Sequence, residues 1–149
     1  MYKSYLTNTN LASHIRLGVG IIIFYNNEIL LEHRTDCKKW GLIGGAIEIG
    51  EKIEEAAVRE CYEETSLEIE KSKLCFLGIY SDINDRRIIQ YPDNCFHAID
   101  VIYKYKLENK KDLKKSKESL EILFFPLNDL PNNLVPPVIS PINDFINTI

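Results

Sequence analysis

Gly45-Ala46-Ile47-Glu48-Ile49-Gly50-Glu51-Lys52-Ile53-Glu54-Glu55-Ala56-Ala57-Val58-Arg59-Glu60-Cys61-Tyr62-Glu63-Glu64-Thr65-Ser66-Leu67 is the most patterned run in this chain of 149 residues. From Lys52 to Thr65 it holds no Gly or Pro and many helix formers, which predicts a helix. Seven of the seventeen residues from Glu48 to Glu64 are glutamate. A glutamate-rich helix is ordinarily a solvated face. Here the spacing argues otherwise. At ~100° per residue, Glu60, Glu63 and Glu64 fall within an arc of roughly 100°. Like charges at i, i+3 and i+4 repel, and no lysine is interspersed among them. Ala57, Val58 and Cys61 lie to one side of that arc and can face a core. Clustered carboxylates make sense around a hard cation. Mg²⁺ takes oxygen ligands, keeps several waters and shares its site with substrate phosphates.

The elements before and after the acidic run set its context. Ile15 to Tyr25 is rich in β-branched residues and predicts a strand. Asn26-Asn27 is turn-prone, and Glu28 to Arg34 reads as a second strand, so the two should pair as a hairpin. Trp40 to Glu51 carries Gly41, Gly44, Gly45 and Gly50, which allows tight bends near a ligand. Lys73 to Ile83, Phe96 to Leu107 and Leu120 to Pro126 read as further strands. Tyr91-Pro92-Asp93-Asn94 reads as a turn between strands. The tail from Asn128 is proline-rich and mostly irregular, with Pro141 placed at the first turn of a short final helix, Ile142 to Ile149. Strands on both sides of one strong helix predict a mixed α/β (α+β) domain spanning residues 1–149.

Composition narrows the function classes. The chain is 45% hydrophobic and 27% charged, with a formal net charge of -4, so no broad basic footprint for nucleic acid is expected. The strongest apolar run, Val19 to Tyr25 with Gly20 inside it, is far too short to span a bilayer. Met1 to Ser13 is polar and lacks the apolar centre of a signal peptide. Cys37, Cys61, Cys75 and Cys95 form no CxxC pair, so reduced thiols in a cytoplasmic protein are expected.

Gly45, Glu51, Arg59, Glu60, Glu63 and Glu64 match all six fixed positions of G-x5-E-x7-R-E-U-x-E-E-x-G-U, where U is a bulky aliphatic residue. This resembles the Nudix box. Trp40-Gly41-Leu42-Ile43-Gly44-Gly45 likewise resembles the family's WGLPGG lead-in, with Ile43 for the common Pro. Cys61 stands where an aliphatic residue is usual, and Ser66 where Gly is usual. If Ser66 must adopt the left-handed conformation, it costs about 1–2 kcal/mol more than Gly.

The resemblance covers roughly Gly18 to Leu130. It implies the Nudix fold, a mixed β-sheet sandwiched between α-helices in an α/β/α arrangement. It also implies Mg²⁺-dependent hydrolysis, with Mn²⁺ as a substitute, of a nucleoside diphosphate linked to another group. ADP-ribose, a sugar nucleotide, a dinucleoside polyphosphate and a nucleoside triphosphate all stay open. The alternative is a non-catalytic nucleotide-sensing domain, whose mark would be loss of box carboxylates; this chain has lost none. A homodimer is compatible with the family.

By the same resemblance Glu60 and Glu64 are metal ligands, and Glu63 is a third ligand or the general base. Gly45 offers a backbone carbonyl to the metal. Glu51 and Arg59 form a structural pair that fixes the loop to the helix. Glu48 contacts the metal through water or is simply solvated. Glu118 is a candidate ligand or base from a facing loop, set in a lysine-rich run from Lys104 to Lys117 that reads as solvated. Tyr80, Tyr91 and Phe96 are candidate stacking partners for a nucleoside. His33, Arg34 and Arg87 are candidates to meet phosphate. His14 and His97 read as structural.

Overall fold

A computed structural model describes residues 3–110 and 113–149. Met1, Tyr2 and Lys111, which the sequence reading included in its polar leader and lysine run, lie outside the described residues. The strands are β1 (Ser4–Leu6), β2 (His14–Tyr25), β3 (Glu28–Arg34), β4 (Trp40–Gly41), β5 (Ile43–Ala46), β6 (Cys75–Tyr80), β7 (Ile88–Tyr91), β8 (Asn94–Lys106) and β9 (Ser119–Pro126). The helices are α1 (Ile53–Thr65) and α2 (Ile139–Asn147).

All nine strands join one mixed sheet in the order β1-β7-β8-β2-β3-β4, with β5 beside β2, β6 beside β8 and β9 beside β3. β2 is its centre. It runs parallel to β8 from His14↔Phe96 to Phe24↔Lys106. The near-continuous apolar run that made β2 legible is what a strand covered on both faces requires. Val19, Ile21 and Ile23 pack with Ala56, Ala57 and Cys61 of α1. Ile22 points the other way and packs with Ile142 and Phe145 of α2. Alternate residues thus serve opposite helices, which gives the expected α/β/α sandwich.

Four features differ from the sequence reading. The β2–β3 hairpin persists for only two register pairs, Phe24↔Ile29 and Tyr25↔Glu28. Beyond them the strands part: β2 pairs β5 from Gly18 to Ile21 and β3 pairs β4 at Glu32 and His33, while β9 runs along β3 from Glu28 to Arg34. The strand expected over Lys73–Ile83 is shorter, because 3₁₀ turns at Lys71–Lys73 and Ile83–Asp85 close off its ends. The sequence reading did not include β7, which meets β8 through the Tyr91–Asn94 turn it did identify. α2 begins at Ile139, earlier than expected, with Pro141 in its first turn where a missing N–H costs nothing.

Candidate active site

β5 delivers the chain to a loop, and the loop to α1. At the helix start Glu55 accepts a 3.1 Å hydrogen bond from the Lys52 backbone N–H, satisfying one of the first turn's orphan donors. Glu54 and Glu55 also sit favourably at the positive end of the helix dipole. At the other end Ser66 is left-handed, with φ 65°, and its N–H donates to the Tyr62 carbonyl. The conformation anticipated for the motif's glycine position is therefore present, on a residue with a Cβ.

Cys61 is fully buried against the core, where burial pushes its thiol up to about 11. It serves as the small apolar residue the motif wants. All four cysteines are free.

Arg59 organises the loop. Its Nε and Nη2 donate to the two carboxylate oxygens of Glu51 at 2.7 and 3.0 Å. Nη2 also donates to the Ala46 carbonyl at 3.0 Å. Glu51 in turn accepts from the Glu48 backbone N–H at 3.0 Å. These bonds hold the Glu51 carboxyl below its ordinary range. One guanidinium thus ties β5, the loop and α1 together. Its remaining Nη1 reaches Glu60 at 2.9 Å and Glu63 at 3.3 Å.

The three helix glutamates have distinct surroundings. Glu63 is the outermost, its side chain 55% exposed. Glu60 lies against Gly45: a Cβ on Gly45 would stand 2.5 Å from the Glu60 carboxyl carbon. Burial raises the Glu60 carboxyl, offset in part by Arg59. Glu64 is 3% exposed and accepts a 2.7 Å bond from the Gly44 N–H. Its carboxyl is driven up by burial and then by Glu32 beside it.

Glu32, fully buried on β3, was missed by sequence reasoning. The available signal was a charge directly after the apolar run Ile29-Leu30-Leu31 in a strand. Its Oε1 accepts from Arg34, but its buried Oε2 has no hydrogen-bond partner.

Arg59, Glu60, Glu63 and Glu64 border one cleft of about 1110 Å³. One end is lined by Gly45, Glu48, Glu60, Glu63 and Glu64, with Glu118 across from them. Glu118 is placed by Thr35, whose N–H and hydroxyl donate to the Glu118 carbonyl at 3.1 and 3.0 Å. It is close enough to Glu60 to raise that carboxyl. The other end is lined by Tyr91 and Phe96, whose rings stack with centroids 6.2 Å apart, and by Arg16 over the Phe96 ring at 5.0 Å.

Other candidates fall elsewhere. Tyr80 is not in the cleft; its hydroxyl donates to Asp144 of α2 at 2.7 Å. His33 stacks on Trp40 at 4.5 Å and bonds the Lys38 carbonyl. Arg34 lines the cleft but is engaged by Asp36 at 2.8 Å and Glu32 at 3.2 Å. Arg87 is buried and bonds Asp100. His97 bonds the Ser81 carbonyl, and His14 the Ser13 hydroxyl.

Among the described residues no three His, Cys, Asp or Glu side chains are already closed around one point. The chemistry of the donors still fits a hard cation. Two adjacent buried carboxylates, Glu32 and Glu64, share a region with Glu60 and leave one oxygen unpartnered. Such a group demands a proton or a positive charge.

The NUDIX domain family model matches residues 14–145. The chain is 38% identical over 132 residues to an ADP-ribose pyrophosphatase of Methanocaldococcus jannaschii, covering 87% of this chain and 72% of that protein. The fold is shared with a MutT NUDIX hydrolase from Burkholderia pseudomallei, at 23% identity and a TM-score of 0.74, covering 87% of this chain and 97% of that one. It is shared too with the NUDIX domain of Shewanella oneidensis NrtR, solved with ADP ribose, at 16% identity and a TM-score of 0.71, covering 95% and 92%. By its family match, its relative and its sandwich fold, the chain belongs to the Nudix hydrolase family.

Proposed function

We propose that this protein hydrolyses the pyrophosphate of a nucleoside diphosphate linked to a second group, with Mg²⁺ as the metal and ADP-ribose as the foremost substrate. The observation that carries the reading is the cleft. It joins box carboxylates at one end to stacked aromatic rings at the other, a layout that suits a diphosphate beside a base. The 38% identical relative named as an ADP-ribose pyrophosphatase supports the choice of substrate.

Glu60, Glu64 and the Gly45 carbonyl are the proposed metal ligands, with Glu63 beside them. A divalent cation held there would neutralise phosphate charge and sharpen a bound water as nucleophile. Glu63 and Glu118, both exposed and on opposite walls, are the proposed groups that take the proton from that water. Arg59 keeps the loop in register and holds Glu60 and Glu63 near one another. Tyr91 and Phe96 take the base.

No helix of the described residues is long and apolar enough to cross a membrane. The proposal also puts the enzyme in the cytoplasm, acting on a small-molecule substrate rather than nucleic acid.

A panel of ADP-ribose, sugar nucleotides, dinucleoside polyphosphates and nucleoside triphosphates, each with Mg²⁺ or Mn²⁺, tests the reading. Coupled phosphate release reports turnover. ADP-ribose should be cleaved most efficiently; failure to cleave any member would reject the proposal.

A further inference from the structure

Alternate residues of β2 and β8 form the cleft floor. Their parallel register sets Arg16 beside Ala98, Gly18 beside Asp100 and Gly20 beside Ile102. Gly18 and Gly20 leave their backbones free for the Asp100 carboxylate and the Ile102 side chain to lie over, and Gly18, Gly20, Ala98, Asp100 and Ile102 all line the cleft. Asp100 is the acid upon it.

The placement of Asp100 is specific. Its Oδ2 accepts a 2.7 Å bond from Arg87, whose side chain is 1% exposed, while Asp100 itself is 30% exposed. Arg87 is fixed in turn by donating to the Pro137 carbonyl at 2.9 Å. The other oxygen, Oδ1, reaches over Gly18. A Cβ at Gly18 would stand 2.4 Å from that oxygen and 3.3 Å from the Gly45 carbonyl oxygen. Among the described residues no donor meets Oδ1. One oxygen is therefore pinned by a buried cation, and the other is open to the cleft next to the Gly45 carbonyl. On the floor, Asp100 lies two residues along β8 from Ala98 and four from Phe96, where the aromatic end begins.

Resting on the nucleotide-hydrolase reading above, we propose that Asp100 is a specificity-determining residue that accepts a hydrogen bond from a ribose hydroxyl of the substrate's nucleoside half. An oriented carboxylate accepts from hydroxyls and repels phosphate. At this spot it would favour a sugar lying between the diphosphate and the base. A salt bridge serving only to tie β8 to the Pro137 segment would have no use for an open oxygen over Gly18.

The test measures dissociation constants of AMP, 2′-deoxy-AMP and 3′-deoxy-AMP. AMP holds one ribose, that of the nucleoside half. The wild-type protein should prefer AMP over at least one deoxy form by on the order of tenfold or more, the worth of a hydrogen bond to a charged group. Asp100→Asn should reduce that preference to near unity. Because this change leaves Arg87 buried without its anion, the double variant Arg87→Met with Asp100→Asn is measured too; replacing both charges commonly preserves stability. Melting curves confirm folding. A wild-type protein indifferent to the sugar hydroxyls, or a preference that survives in the folded double variant, overturns the proposal. ADP-ribose hydrolysis by the wild type is followed in parallel. Its absence would strike the hydrolase reading, whereas the sugar preference reports on Asp100 alone.

Discussion

Beside Glu32 and almost without solvent, Glu64 is a charge the apo protein is better off losing. Glu64→Gln keeps the side chain's size and removes that repulsion, so the apo variant should melt at the same temperature or higher. Turnover should nonetheless fall by roughly two orders of magnitude or more, because catalysis here rests on electrostatic placement. Steady-state rates across a Mg²⁺ titration, beside a melting curve, check both halves. Asp36 shows the opposite case. Burial opposes its ionisation, yet hydrogen bonds and charge from Arg34 prevail and bring its carboxyl from 3.8 down to about 2. A depressed folded value stabilises above the unfolded value, and that stabilisation is lost as pH falls through the folded one. Asp36→Asn should therefore cost about 2 kcal/mol at neutral pH. Urea midpoints should show the gap from wild type closing between pH 4 and pH 2. Individual residues were unevenly legible. Glu60, Glu63 and Glu64 announced themselves by spacing, whereas Glu32 and Asp100 acquire meaning only from partners on other strands.

α1 and the loop before it form the element the sequence described best, since both its boundary signals and its acidic arc are local. The Glu51–Arg59 pair is present as expected, and Arg59 does more than expected by also holding Glu60 and Glu63. Arg59→Ala should lower Tm by about 5 °C, through lost charged hydrogen bonds, and reduce turnover as the loop loosens. A fully stable variant with normal metal affinity and no activity would instead make Arg59 a direct participant. At the helix end, Ser66→Gly should relieve left-handed strain and add about 1 kcal/mol of stability without altering turnover. Denaturant unfolding measures this, and a destabilised variant would contradict it. Strand pairing was less legible than helix boundaries. The β2–β3 hairpin splits after two pairs because β5 takes β2 and β4 takes β3 beyond that point, and no local pattern encodes that competition. β6 ends early for a local reason, the 3₁₀ turns at either end.

At the scale of the whole molecule, the sandwich follows from one central strand whose alternate residues feed two cores. The cleft does not follow so directly. Its floor depends on the register that sets Gly18 beside Asp100, and its walls come from α1, the Glu118 loop and the β7–β8 hairpin. Such long-range placement is invisible to periodicity, so the motif identified the family while the floor and walls of the cleft stayed unread. The central claim is that this bed and the box carboxylates together make a metal-dependent pyrophosphate hydrolase. It is tested most directly by incubating the wild-type protein with ADP-ribose after exhaustive chelation, then titrating Mg²⁺ back while separating the products. The account predicts no cleavage in the chelated protein and Mg²⁺-restored formation of AMP and ribose 5-phosphate in equal amounts. Undiminished cleavage after chelation, or intact ADP-ribose at saturating Mg²⁺, would contradict it.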